Sequence, residues 1–420
     1  MVAPVEPIRV LRLIARLNVG GPARHVAGLM TGLDPAQFAQ TLACGVVQAG
    51  EDDLGPDLRA AGLDYAPIPS LGRALHPVRD LISLWAVLRL MLRTRPHILD
   101  THTAKAGTVG RAALILYRPL ARLTGRPVPR AIHTFHGHTF SGYFGPLATK
   151  LFLGIERILA KHATWRIVAI SPAMRRELCD TYRVGRAGQY VLLPLGIPLE
   201  RFGDPGPGRA AFRRELGVAE AETLVGAVGR VAAIKNYGLL LETAAALKAA
   251  RPELFARTRF AVIGGGDPAD LAALQAQAQA LGVAERVILA GNQADPARFM
   301  PGLDVLCLTS RNEGTPMVIL EAGACGVPVL ATAVGGVPDL LGEVVEEAPQ
   351  GYALRTRGLT AMSGDAAGLA AGLARLLEDP HPPGLAASLG AALKDHVQAH
   401  YDQARLIADT GALYRAACQA

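Results

Sequence analysis

The sequence predicts an α/β protein built from two Rossmann-like, doubly wound domains in tandem. Short apolar strands alternate with helical stretches along the chain, 46 glycines supply the tight turns between them, and the whole pattern restarts after a Gly/Pro-rich connection near residue 200. A length of 420 residues is comfortable for two cores and long for one.

In the first half the expected strands are Arg9–Ile14, Thr41–Val47, His97–Asp100, Ala131–Phe135 and Arg166–Ile170. Several are continuous apolar runs, as parallel strands covered on both faces should be. The connection spans Leu193–Ala210, where Pro194-Leu-Gly-Ile-Pro198 and Gly203-Asp-Pro-Gly-Pro-Gly208 should exclude regular structure. The second series is Thr223–Val228, Phe260–Ile263, Arg286–Leu289, Asp304–Leu308 and Val327–Thr332. The resulting division is residues 1–200, 201–395, and a terminal helical stretch 396–420 that could return to the first domain.

Composition narrows the class. Half the residues are hydrophobic and 19% are charged, which suits a folded chain rather than a disordered one. The five cysteines Cys44, Cys179, Cys307, Cys325 and Cys418 are scattered, with no Cys-x-x-Cys spacing, so reduced thiols are expected. Residues 1–10 carry no apolar signal core, and the apolar stretch Leu81–Leu92 is too short to span a bilayer. A cytoplasmic protein is the expectation. The net charge of +7 is uneven: residues 1–200 hold 24 Lys and Arg against 13 Asp and Glu, and residues 201–420 hold 19 against 23. An anionic partner or surface is expected for the first half.

The segment Ser310-Arg-Asn-Glu-Gly-Thr-Pro-Met-Val-Ile-Leu-Glu321 is the most informative. A strand ends near Leu308, and Thr315-Pro316 reads as an N-cap followed by Pro at N1. The helix would aim its free N–H groups at the strand's carboxyl edge, a site for an anion such as a diphosphate. Glu313 and Glu321 could then grip sugar and ribose hydroxyls, or be solvated glutamates on a capped surface helix. Gly229-Arg230-Val-Ala-Ala-Ile-Lys235-Asn236 favours the first reading. It places two cations in a βα loop, where open α/β sheets bind ligands.

Together, Gly229-Arg230-x4-Lys235-Asn236 and Glu313-x7-Glu321 with Gly314 and Pro316 resemble the donor site of family 4 glycosyltransferases of the GT-B fold. The resemblance runs through most of the chain. It implies two Rossmann-like domains facing across a cleft, with the acceptor in residues 1–200 and the nucleotide sugar in 201–395. By the same resemblance Arg230 and Lys235 bind the donor diphosphate, Glu313 the transferred sugar and Glu321 the ribose, with backbone around Gly314, Thr315, Met317 and Val318 adding phosphate contacts. Gly264 in the Gly264-Gly-Gly-Asp267 turn, and Asn292 beside Gly291, are placed near the nucleoside. Gly20 and Gly21 of Asn18-Val-Gly-Gly-Pro-Ala-Arg24-His25 match the family's N-terminal glycine-rich loop; an ordinary tight turn is the plainer reading of those residues alone.

His133-Thr-Phe-His136-Gly-His138 holds three histidines in six residues. Neighbours on a strand point to opposite faces, so that run does not imply ligand geometry, and no metal site is expected. The resemblance places a histidine of this loop against the donor sugar or the reacting centre; His136 is the best match and His138 the reserve. His138 joins His102 and Lys105 as acceptor-side lining, with simple solvation the equal alternative for Lys105.

Transfer with retention, a UDP-sugar donor and no cofactor or metal ion are what the resemblance implies, and no Asp-x-Asp motif is present. The expected acceptor is a hydroxyl of a sugar- or lipid-linked molecule in cell-envelope polysaccharide or glycolipid synthesis. No nucleic-acid partner is expected. A helix over Leu147–Lys161, with Lys150, Arg157 and Lys161 opposite Leu147, Leu151, Ile155, Ile158 and Leu159, suggests peripheral contact with anionic lipid at the inner membrane face, or simply a helix packed on its own sheet. The competing functions are a GT-B nucleotide-sugar epimerase and a non-catalytic nucleotide-sugar-binding protein.

Overall fold

The first sheet grows outward from β1 (Ile8–Arg16) in both directions, as a doubly wound sheet must. β2 (Phe38–Gly45) and β3 (Tyr65–Pro67) lie on one side, and β4 (Ile98–His102), β5 (Arg130–Phe135), β6 (Arg166–Ala169) and β7 (Tyr190–Leu192) on the other. All its pairings are parallel. The structure is a computed structural model that describes residues 6–18, 20–47, 53–72, 76–137, 145–203, 208–378 and 384–419.

Two apolar layers cover this sheet. On one face Leu11, Leu13 and Leu99 pack with Val87, Met91, Ala113 and Leu114 of the helices Pro77–Thr94 and Ala104–Leu123. On the other, Val10, Ile98, Ile132 and Val168 meet Leu29 of the helix Gly21–Gly32 and Leu406 and Tyr414 of the helix Gln403–Gln419. Burying one such leucine contributes about 1.5–3 kcal/mol.

The second sheet has the same wound core. β8 (Thr223–Val228) is flanked by β9 (Thr258–Ile263) and β10 (Val287–Gly291) on one side and by β11 (Val305–Leu308) and β12 (Val329–Thr332) on the other. Beyond β12 come β15 (Gly358–Ala361), β14 (Tyr352–Arg355) and β13 (Val344–Glu347), the last two pairings antiparallel. These three strands, with β3 and β7, are absent from the sequence expectation. They are only three or four residues long, too short to carry a period of two.

The chain forms two compact units, dividing between Gly196 and Ile197, and the first takes back the chain from Gln403. The sequence places these boundaries after residues 200 and 395. The helix Leu385–His400 belongs to the second unit and stops at Tyr401; Gln403–Gln419 belongs to the first. Between the two Gly/Pro runs of the connection lies a short 3₁₀ turn, Leu199–Phe202.

Candidate functional site

In the second unit the loops after β8, β11 and β12 meet at the carboxyl edge, beside the point where strand order reverses, the place where open α/β sheets bind ligands. Lys235, after β8, points its Nζ at Glu313 Oε1, 2.7 Å away. Ser310 donates its hydroxyl to the same oxygen at 2.6 Å. Both side chains of the ion pair are mostly covered, 21% exposed for Lys235 and 12% for Glu313.

Backbone contacts hold this cluster in place. Thr309 Oγ1 donates to the Lys235 carbonyl at 2.9 Å, the Arg311 N–H to Ile234 O at 2.9 Å, and Thr332 Oγ1 to Ser310 O at 2.6 Å. The Gly336 N–H donates to Gly314 O at 2.8 Å. Gly335 has φ +53°, and a Cβ there would overlap the Glu313 carbonyl oxygen, so this glycine lets the β12 loop lie against Glu313.

The helix Met317–Ala324 begins one residue later than the sequence suggested. Pro316 occupies the N-cap position, and Thr315 makes no capping bond. The Thr315 hydroxyl is instead buried with no hydrogen-bond partner among the described residues. An orphaned donor beside the N–H groups of Met317 and Val318 is a ready contact for an anion's oxygens. Glu321 lies inside this helix and is 4% exposed, which removes its reading as a solvated surface glutamate.

Arg230 is exposed at the start of the β8 loop. Gly264 ends β9 against Gly229; a Cβ at Gly264 would collide with the Gly229 carbonyl, so only glycine permits this approach. Val231 N–H donates to Gly265 O at 2.8 Å, tying the two loops together, and Asn292 is exposed beside Gly291. Tyr237, raised by burial and then by Glu313, stays neutral and donates to Gly229 O at 2.8 Å. The structure thus collects Lys235, Glu313, Gly314, Thr315 and the first helical turn in one place, with Arg230, Gly264 and Asn292 along the same edge.

A second constellation lies at the carboxyl edge of the first sheet. His102 is the last residue of β4 rather than part of the loop after it, and His136 follows β5. His102 Nδ1 faces His136 Nε2 at 3.0 Å, and its Nε2 faces Asp100 Oδ2 at 3.0 Å. Asp100 also accepts from Arg12 Nε at 3.0 Å and from the Tyr414 hydroxyl at 2.6 Å. Burial alone would raise the Asp100 carboxyl, but His102, Arg12 and Tyr414 outweigh it and hold it well below the carboxylate range. His25, on the helix that starts at Gly21 with Gly20 as its N-cap, is pushed down to about 3 by burial and then by His102. Burial, with His25 and His102, likewise holds His136 neutral.

His136 also lines a cavity of about 230 Å³ with Pro22, Thr103, Ala104, Thr134 and Gly137. His133 lines it too, with its Nδ1 2.9 Å from Thr101 Oγ1. Lys105 is not solvated: it pairs with Asp80 at 2.6 Å and is 11% exposed, so it is held away from a ligand role in this state. His138 lies outside the described residues. Arg12, Asp100 and Tyr414 were missed as site-supporting residues; a buried strand arginine was the available signal, while Tyr414 is 314 residues from Asp100.

On the helix Pro146–Ala163 the expected opposition of faces fails. Leu147, Leu151 and Ile158 are exposed alongside Lys150 and Lys161, whereas Leu159 is buried, and Arg157 is tied to the Tyr182 carbonyl. Among the described residues no helix is long and apolar enough to cross a membrane.

Comparison with known proteins agrees with this layout. The sequence profile described as Glycosyl transferases group 1 matches residues 208–395, and that described as Glycosyltransferase Family 4 matches residues 19–201. A D-inositol 3-phosphate glycosyltransferase of Geodermatophilus obscurus is 36% identical over 309 residues, covering 68% of this chain and 63% of that protein. An Escherichia coli UDP-Gal:alpha-D-GlcNAc-diphosphoundecaprenol alpha-1,3-galactosyltransferase is 26% identical over 270 residues, covering 64% of this chain and 66% of its own length. The chain spans less than two thirds of the first of the D-inositol 3-phosphate enzymes it matches, 40% of the Kineococcus radiotolerans protein and 63% of the Geodermatophilus obscurus one. Among solved structures, Anabaena HepE in complex with UDP and glucose superposes with a TM-score of 0.77 at 19% identity, over 97% of this chain and all of the other.

Proposed function

The chain belongs to the family 4 glycosyltransferases of the GT-B fold, and from that premise we propose that it moves a sugar from a UDP-sugar to a hydroxyl acceptor with retention of configuration. The observation that carries the reading is the second unit's cluster: Lys235 and Ser310 converging on Glu313 Oε1, with the orphaned Thr315 hydroxyl beside a helix N-terminus.

In this reading Arg230, Lys235, Thr315 and the N–H groups of Met317 and Val318 take the diphosphate. They offset the charge that develops as it departs, without a cation bridging the phosphates. Glu313 orients the transferred sugar through its hydroxyls, and Glu321 meets the ribose. Gly264 and Asn292 border the nucleoside. No enzyme nucleophile is needed if the departing phosphate takes the acceptor proton on the same face. The neutral His136 imidazole, on the cavity wall of the first unit, serves the reacting centre, and the acceptor binds beside it and its partner His102.

A relative acting on a diphosphoundecaprenol-linked sugar favours a lipid-linked acceptor for this chain as well. The exposed Leu147, Leu151 and Ile158 beside Lys150 and Lys161 suit peripheral contact with an anionic membrane, which sedimentation with anionic vesicles tests.

The deciding experiment is a thermal-shift panel of UDP, GDP and ADP and their sugar conjugates, with and without EDTA. A nucleotide at 100 times its Kd stabilises the folded state by about 2.7 kcal/mol. The expected result is a shift with UDP and one UDP-sugar whose size EDTA does not change. No shift with any nucleotide in folded protein would overturn the assignment.

A further inference from the structure

The histidine run His133–His138 suggests no ligand set by itself, but the fold assembles a different one. His25, His102 and His136 arrive from three separate strand–helix junctions of the first sheet, and one ring nitrogen from each lies within 4.8 Å of the others. Their ring centroids stand 4.9 Å (His25–His136), 5.2 Å (His102–His136) and 5.5 Å (His25–His102) apart.

Two further observations bear on what this cluster takes. His102 turns Nε2 to Asp100 at 3.0 Å, and Asp100 is itself fixed by Arg12 and Tyr414. A carboxylate that holds the far nitrogen of an imidazole fixes its tautomer and leaves the other lone pair aimed inward, the usual backing of a metal-bound histidine. His25 is 4% exposed, and its Nδ1 has no hydrogen-bond partner among the described residues. The His102–His136 hydrogen bond accounts for two of the rings and leaves His25 unexplained.

We propose that His25, His102 and His136 form a binding site for a first-row divalent cation, zinc by ligand type. Zinc bonds of about 2.0–2.1 Å in a tetrahedron set nitrogens about 3.3–3.4 Å apart. The 3.0 Å pair therefore opens by a few tenths of an ångström, and nitrogens as far apart as 4.8 Å close by about 1.4 Å, within reach of side-chain torsions. Three protein nitrogens leave one coordination position for an oxygen ligand, and His136, shared by the cluster and the cavity wall, makes that cavity the approach. The site shares no residue with the Lys235–Glu313 cluster.

The test is metal binding by untagged, full-length protein, stripped with chelator and titrated with Zn²⁺ and, for its visible d–d bands, Co²⁺. One equivalent is expected, with a tetrahedral cobalt spectrum. His25→Gln and His136→Gln should abolish the spectrum, and Asp100→Asn, which keeps all three ligands, should weaken affinity by roughly 10–100-fold. Absence of stoichiometric binding in wild-type protein that keeps its UDP-induced thermal shift overturns the metal site and leaves the donor site standing. Undiminished binding by folded His25→Gln and His136→Gln overturns it equally. The wild-type titration decides the question even where a variant fails to fold.

Discussion

Lys235 is already engaged: its ammonium and the Ser310 hydroxyl both donate to Glu313 Oε1, at 2.7 and 2.6 Å. A diphosphate that recruits Lys235 must draw it from this carboxylate and accept a negative charge nearby. Glu313→Gln isolates the effect, because the amide oxygen can still accept from both donors while the charge is gone. A net charge-assisted hydrogen bond contributes about 1.5–3 kcal/mol, and the 12–21% exposure of the pair calls for discounting towards the lower end. About 1 kcal/mol of relief would tighten UDP binding roughly fivefold. The sugar responds in the opposite sense. If Glu313 grips sugar hydroxyls, the preference for UDP-sugar over UDP should fall by roughly 10–100-fold, the same bond strength read as a ratio. Calorimetric titration of wild type, Glu313→Gln and Lys235→Ala with UDP and UDP-sugar gives both numbers. Lys235→Ala should weaken both ligands. If Glu313→Gln weakens UDP itself, the ion pair presents Lys235 to the phosphate instead of competing for it, and the reasoning fails.

Gly335→Ala forces a left-handed residue to carry a Cβ against the Glu313 carbonyl, at a backbone cost of about 1–2 kcal/mol before the overlap. UDP-sugar affinity should drop at least about tenfold, as measured by calorimetry, in protein whose circular dichroism is unchanged. His396 is held down to about 4 by burial, then by Arg357 and His400. Its neutral form is favoured when folded, so the unfolded chain binds the extra proton and stability is lost as pH falls from about 6.5 towards 4. His396→Gln should therefore narrow the difference in melting temperature between pH 7.5 and pH 5. Cys44 and Cys307 are pushed up to about 12 by burial, whereas Cys418 is exposed. Mass spectrometry after brief maleimide treatment at pH 8 should find Cys418 modified and those two intact until denaturant is added.

The sequence disclosed what local pattern encodes. Apolar runs located ten strands, and the segments Gly229–Asn236 and Ser310–Glu321 could each be placed after a strand, because each depends on residues a few positions apart. What it hid depends on distance or on a single position. Lys105 could not be known to meet Asp80, nor Thr315 to be passed over as a cap, until the helices were placed. The histidine cluster was hidden for a related reason: His133, the near neighbour in sequence, is not part of it, and the neighbours in space are 34 and 111 residues from His136. The antiparallel strands β13–β15 fell below the length at which alternation shows.

The most distant of these contacts supplies the last test. Tyr414, on the helix Gln403–Gln419, donates to Asp100 Oδ2 and accepts from Arg12 Nη2 at 2.8 Å, and Arg405 on the same helix donates to the carbonyls of Pro194 and Leu195. A chain that leaves the first unit at Gly196 and returns at Gln403 is thus bolted to the strand that carries His102. Tyr414→Phe keeps the ring against Phe38 and deletes only the hydroxyl, so Arg12 loses an acceptor and Asp100 a donor in a site closed to water. One buried hydrogen bond to a charged group is worth about 1.5–3 kcal/mol, and this change breaks two that share an atom, so a loss of roughly 2–4 kcal/mol is expected. Two units need not unfold together, and a single melting temperature would blur the loss. Hydrogen exchange resolves it: protection should fall in Ile98–His102 and Gln403–Gln419 and stay unchanged in Thr223–Val228. Faster exchange confined to the terminal helix would mean that Tyr414 merely anchors that helix, and that Asp100 and His102 are held by Arg12 alone.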